Sequence, residues 1–236
     1  MLEELAIPGT HELVVDIAQR YLSPPGRALD LGAGRGALVQ RLQSLGFDVL
    51  AVHVDNTFGA SVPFIQMDLN ENLFHEKLPA DFDLITAVEV IEHLEMPIAF
   101  LRNVKSLLKK NGIAIVTTPN VENVPSRLKF FLLGKLRGFE IRADHIWPIF
   151  YDLFVRQYLP RVGLRLIEHM VYPRDNYVLT GRRWLVPFFR PLARVLRGPA
   201  LVGDSHIFVL QRTASNQTIG KRPPANGRSC LLMNPW

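Results

Sequence analysis

Within five residues, Glu89-Val90-Ile91-Glu92-His93, the chain places two carboxylates and an imidazole. If this stretch is helical, Glu89, Glu92 and His93 stand at i, i+3 and i+4 and share one face. Oxygen and nitrogen donors gathered in one turn form part of a divalent-metal site. Asp144-His145, further along, could supply a fourth ligand. The same side chains suit a second chemistry, because a neutral imidazole is available near pH 7 to take the proton of an acceptor hydroxyl. Glu89, Glu92, His93 and His145 are thus the candidate metal ligands, and His93 and His145 the candidate catalytic bases.

A second group lies earlier, in Asp30-Leu31-Gly32-Ala33-Gly34-Arg35-Gly36-Ala37. Glycines at such a turn let the backbone bend tightly and let a ligand approach without a Cβ in the way. The spacing satisfies the loose dinucleotide fingerprint. Asp30, two positions before the first glycine, argues against a dinucleotide: its carboxylate would repel a pyrophosphate but could hold an ammonium group. The third glycine, Gly36, opens the loop further.

These groups need a scaffold, and hydrophobic periodicity supplies one. Thr10 to Leu22 reads as a helix with Leu13, Val14, Ile17, Ala18 and Leu22 on one face, stopped by Pro24-Pro25-Gly26. Strands are expected at Ala28–Leu31, Asp48–Val54, Pro63–Met67, Phe82–Val88, Ile113–Thr118, Gly163–Tyr172 and His206–Gln211. Helices are expected after the glycine loop to about Leu45, from Pro97 to Lys109, and from Ile149 to Leu159. Strands that are near-continuous apolar runs alternating with helices imply an α/β fold, a mostly parallel sheet with helices on both faces. The glycine loop and the acidic-histidine segment then both follow strands directly, at the carboxyl end of the sheet where open α/β folds keep their ligands.

As a set these motifs resemble the class I S-adenosylmethionine-dependent methyltransferases, over roughly Leu22 to Tyr172. The resemblance implies a Rossmann-like seven-stranded sheet, S-adenosylmethionine as cofactor, and methyl transfer. Asp30, Gly32, Ala33, Gly34 and Gly36 then match the family's first motif, where a carboxylate at the strand tip suits a sulfonium ligand with an amino-acid end. The family's ribose-binding acid falls where His53 stands, so either His53 or Asp55, two residues on, takes that role. Asp68 matches the acid that accepts from the adenine amino group, with Leu69 packing on the ring, and Glu89 lies near the cofactor. The Glu89-x-x-Glu92-His93 segment is similar to that of ubiquinone-pathway O-methyltransferases, small-RNA 2′-O-methyltransferases and bacterial glycan and natural-product methyltransferases. In the first two branches a divalent ion holds substrate hydroxyls.

Charge divides the chain. Up to Ser126 there are nine Lys and Arg against sixteen Asp and Glu; from Arg127 there are eighteen against six. An acidic catalytic half and a basic half that meets something anionic are expected. The resemblance implies a substrate lid in residues 121–148. The segment 174–204 is an insertion in which Leu185, Phe188, Phe189, Leu192, Val195 and Leu196 follow helical spacing opposite Arg190, Arg194 and Arg197. Residues 184–198 therefore read as an element for an anionic membrane surface. Residues 1–212 form one domain, and 213–236, polar and aperiodic, a disordered tail. The single cysteine, Cys230, excludes an intrachain disulfide. The first residues lack the basic and apolar regions of a secretory signal, so a cytoplasmic protein is expected, with membrane association through 184–198.

The main expectation is O-methylation of a small-molecule or lipid-linked glycan acceptor. The alternatives are an RNA-modifying enzyme whose basic half grips phosphates, although no RNA-binding module is recognisable, and a non-catalytic protein that keeps the fold.

Overall fold

A computed structural model describes residues 6–56, 58–139, 144–174 and 200–213. The 184–198 element and residues 214–236 lie outside them. The secondary structure follows the order read from periodicity. Helix α1 (Thr10–Tyr21) precedes β1 (Arg27–Leu31), α2 (Ala37–Ser44), β2 (Asp48–His53) and β3 (Phe64–Gln66). Then come β4 (Phe82–Ala87), a 3-10 turn at Ile91–His93, α3 (Pro97–Leu107), β5 (Leu108–Pro119) and α4 (Val124–Leu133). A helical stretch built from Tyr151–Leu153, a π-turn at Phe154–Tyr158 and Leu159–Val162 leads into β6 (Leu164–Tyr172) and β7 (Ser205–Arg212).

The seven strands form one sheet in the order β3-β2-β1-β4-β5-β7-β6. All the pairings from β3 to β5 are parallel. Only β7 runs against its neighbours, β5 and β6. Parallel strands covered on both faces must be apolar throughout, and β1 shows it: Ala28, Leu29 and Leu31 are fully buried, and Asp30 is the one acid among them. On one face α1 and α2 pack Val14, Ile17, Leu38 and Leu42 against the sheet. On the other, α3 and the 151–162 stretch bring Phe100, Leu101, Val104, Phe154 and Leu159. No helix among the described residues is long and apolar enough to cross a membrane.

Three local features go beyond what periodicity shows. The 121–148 region holds a ten-residue helix, α4, that no apolar period marks. Its signals are end signals: Asn123 caps it by accepting from Ser126 N at 2.9 Å, proline stands in its first turn, and left-handed Gly134 ends it. Ala200–Asp204, the last residues of the expected insertion, are tied to the body. Asn120 Nδ2 donates to the carbonyls of Ala200, Val202 and Gly203, and Val124 N donates to Leu201 O. Thr213, placed in the tail by composition, is instead held by its N–H and hydroxyl on Gly163 O, both at 3.0 Å.

Candidate active site

Strand order reverses between β1 and β4: the chain leaves β1 for β2 on one side and later returns to β4 on the other. Loops after these two strands diverge and open a crevice. There the structure holds a cavity of about 780 Å³.

The glycine loop forms one wall. Gly32 N and Ala33 N both donate to Val52 O, at 2.8 and 3.0 Å, which ties the loop to β2. Gly32 and Gly34 have φ of +79° and +52°, a region that side chains disfavour. Gly32, Ala33 and Gly34 line the cavity, as does Asp30. Gly36 does not. Its role is packing: a Cβ there would stand 2.7 Å from Ala60 Cβ and 2.9 Å from Phe58 Cε2. Gly36 thus shapes the loop by its packing.

Asp30 is almost wholly buried, and the β1–β4 register sets it beside Thr86, whose hydroxyl donates to Oδ1 at 2.6 Å. Burial pushes its carboxyl up to about 6, against the pull of that hydrogen bond. A folded-state pKa above the unfolded value means the folded form binds more protons in the window between them. Asp30 thus lowers stability as pH rises from about 4 to about 6, by about 3 kcal/mol in all. Asp30→Asn is expected to raise the melting temperature of the ligand-free protein at pH 8 by several degrees and to leave it unchanged at pH 4. Equal shifts at both pH values in a scanning-calorimetry series would show that Asp30 is not the titrating group.

His53 ends β2 and lines the cavity, whereas Asp55 does not. Asp55 Oδ1 lies 3.5 Å from His53 Nε2, so the acid stands behind the imidazole. Asp68 and Leu69 line the same wall beyond β3. Asp68 Oδ1 accepts from Asn70 N at 2.9 Å, an Asx turn that orients the carboxylate and leaves its other oxygen with acceptor capacity.

The acidic-histidine segment departs from the helix that its spacing suggested. Glu89 sits at φ +54°, its N–H donates to Thr117 Oγ1 at 3.0 Å, and that hydroxyl donates back to Glu89 Oε1 at 2.8 Å. The left-handed residue breaks any continuous helix, so Glu89 turns toward β5 while Glu92 and His93 follow in the 3-10 turn. A non-glycine residue held at positive φ stores strain, which collects at functional sites. Glu92, His93 and His145 offer ligand atoms that all lie within 4.8 Å of one another; Glu89 stands outside this group. Glu89, His93 and His145 line the cavity and Glu92 lies behind it.

What joins His93 to His145 is backbone. Glu92 O accepts from Ile146 N at 2.8 Å and from Trp147 N at 3.0 Å, which fastens the 144–150 segment to the 3-10 turn. The two imidazoles meet edge to face, with centroids 4.5 Å apart. Asp144 O accepts from His93 Nδ1 at 3.0 Å, so the neutral ring keeps Nε2 as its basic nitrogen. Glu92 is fully buried, and neither carboxylate oxygen has a well-formed hydrogen bond among the described residues. Burial first, and the Glu89 carboxylate second, hold its pKa well above the usual range, against the pull of its backbone and of the Thr118 hydroxyl. Burial likewise raises Glu89, although the Thr117 and Ser205 hydroxyls oppose it.

Several cavity residues escaped the sequence reading. Ile7, Pro8 and His11 come from the N-terminal segment, where Pro8 O accepts from the Tyr172 hydroxyl at 3.0 Å. Asp204 and Ser205 come from the start of β7. No local pattern marks either group; Asp204 and Ser205 reach the cavity because β7 inserts antiparallel beside β5, with Ser205 opposite Pro119.

A family model described as a methyltransferase domain matches residues 5–169. The ubiquinone biosynthesis O-methyltransferase of Xanthomonas campestris pv. campestris is 32% identical over 117 residues, 44% of this chain and 47% of that protein. The enzyme of that name from Rhodopseudomonas palustris is 33% identical over 150 residues, 60% of this chain and 59% of the relative. The chain spans about half the length of the curated relatives it matches. Among solved structures, a SAM-dependent methyltransferase from Archaeoglobus fulgidus superposes with a TM-score of 0.62 at 17% identity, covering 86% of this chain and 95% of the other. That likeness establishes the fold.

Proposed function

This chain belongs to the methyltransferase-domain family, and from that premise we propose that it is an S-adenosylmethionine-dependent O-methyltransferase acting on a small-molecule hydroxyl, free or on a lipid-linked glycan. The observation that carries the reading is that one cavity joins a buried carboxylate beneath a glycine loop to the Glu92–His93–His145 cluster. The relatives named as ubiquinone biosynthesis O-methyltransferases support oxygen as the methylated atom.

The residues fit such a cofactor. A volume of about 780 Å³ is within the range of cavities that take a drug-sized ligand. Asp30, buried against the Thr86 hydroxyl, would gain a counter-charge from the ammonium of the amino-acid end. Gly32 and Gly34 keep the wall free of side chains, and His53 would hold the ribose and Asp68 the adenine amino group. When bound, S-adenosylmethionine supplies an electrophilic methyl group on a positively charged sulfur.

The chain's own residues then have two tasks. The first is to hold an acceptor oxygen about 3–3.5 Å from the methyl carbon and opposite the sulfur, a task for the cavity wall that restricts its approach. The second is to receive the hydroxyl proton as the new C–O bond forms and the C–S bond breaks. His93 Nε2 is free of the Asp144 contact and can take it; His145 is the alternative base.

The donor set also fits a divalent ion. A buried carboxyl group beside two imidazoles, with ligand atoms within 4.8 Å of one another, is a donor set that suits such an ion. An ion on Glu92, His93 and His145 would make an acceptor hydroxyl more acidic.

Calorimetric titration is the test. S-adenosylhomocysteine is expected to bind and NAD is not, with affinity falling below pH 6 as Asp30 loses its charge. NAD binding without any response to S-adenosylhomocysteine would sink the proposal. A panel of phenolic, polyhydroxy and lipid-linked glycan acceptors, read by methyl transfer, then separates the acceptor classes.

A further inference from the structure

The far half of α4 has no business in water. Most amphipathic helices turn their apolar side chains to the core, but α4 buries only Val124 and Ser126. Phe130, Phe131, Leu132 and Leu133 are all exposed, Phe131 to 83%. Four large apolar side chains in one solvated run exceed the scattered exposure that soluble surfaces tolerate. The helix is firmly based: Asn123 Nδ2 donates to Gly203 O at 2.7 Å, in addition to the Asn123 cap and the Val124–Leu201 bond. Its free end projects, and a side chain at Gly134 would meet nothing within 4 Å.

Two further facts bear on what covers it. The charge is of one sign: Arg127, Lys129 and Lys135 flank the apolar run, and no acid occurs from Arg127 to Phe139. The run also borders the cavity, since Gly138 and His145 line it and the Phe139 ring lies 5.3 Å from that of His145. On the other side of His145, Ile146, Trp147, Phe150 and Leu153 are exposed as well. An apolar run edged by cations is the pattern that partitions into the headgroup region of an anionic bilayer.

We propose that the projecting half of α4 docks this protein on an anionic lipid surface, with the cavity mouth beside the contact. The inference stands independently of the methyl-transfer reading, because it needs neither cofactor nor acceptor.

The test is co-sedimentation of the full chain with vesicles of pure phosphatidylcholine and of phosphatidylcholine with phosphatidylglycerol. Binding is expected only with the anionic lipid, and it should weaken as salt is raised. Lys129→Gln combined with Lys135→Gln should weaken it roughly thirtyfold. Phe131→Ser, Leu132→Ser and Leu133→Ser together should reduce it below detection while far-ultraviolet circular dichroism and the melting temperature stay as in the parent. Equal binding by the parent and the apolar variant, or no binding by the parent at low salt, overturns the proposal. So does a parent that sediments as a dimer without lipid and becomes monomeric on the triple substitution, for then a second copy covers the face.

Discussion

Gly34→Val is expected to weaken S-adenosylhomocysteine binding by at least about a hundredfold, or roughly 3 kcal/mol, while the protein still folds. Two effects combine. Gly34 stands at φ +52°, where a residue with a Cβ is strained by about 1–2 kcal/mol and a β-branched one by more. Gly34 also lines the cavity, so the new side chain occupies ligand space. Gly34→Asn separates the two, because asparagine tolerates positive φ: it should restore most of the lost stability and little of the lost affinity. Gly36→Val should behave in the opposite sense. Its Cβ meets Phe58 and Ala60 and not the cavity, so the melting temperature should fall first and binding only as a consequence. Calorimetry with parallel thermal unfolding on the three variants distinguishes these patterns. Undiminished affinity in Gly34→Val would place the cofactor elsewhere.

The second large effect concerns turnover. His93→Ala and His145→Ala are each expected to lower kcat by about 10²–10⁴-fold, the range associated with a positioned acid or base, with S-adenosylhomocysteine affinity within a few-fold of the parent. Glu92→Gln tells apart the two ways in which the cluster could work. The buried carboxylate of Glu92 lies within 4.8 Å of both imidazoles but behind the cavity wall, so it can serve a cation without touching the acceptor. If a divalent ion is used, Glu92→Gln and EDTA should each reduce the rate and added metal should rescue only the chelated parent. If a histidine alone is the base, EDTA should have no effect and Glu92→Gln should be mild. Full activity in both histidine variants, measured by methyl transfer to a responsive acceptor, would remove the cluster from the chemistry.

Local signals carried the scaffold well. The apolar runs at β1 and β4 must be buried on both faces, and the glycines after β1 must turn, so the α/β order and the position of the ligand end are legible in the chain itself. The sequence also marked Asp30, because an acid inside an otherwise apolar strand calls for a reason. It leaves Glu89 undecided: the spacing suits a helix, but a single left-handed residue sends the carboxylate to Thr117 instead. It missed α4, whose caps are informative but whose apolar residues face solvent and so show no core-facing period.

Composition, periodicity and turn chemistry are properties of neighbours in the chain, and they determined the fold class, the glycine loop and the candidate chemistry of Glu92, His93 and His145. Only the tertiary structure decided which of these meet. His145 lies 52 residues beyond His93, and what joins them is two backbone N–H groups on Glu92 O, donors and an acceptor that every sequence has. His53 rather than Asp55 lines the cavity because β2 ends there and alternation on a strand does not say where the strand stops. Asp204 and Ser205 reach the site because β7 enters antiparallel between β5 and β6, a pairing set by long-range packing of buried strands and by no residue near either one.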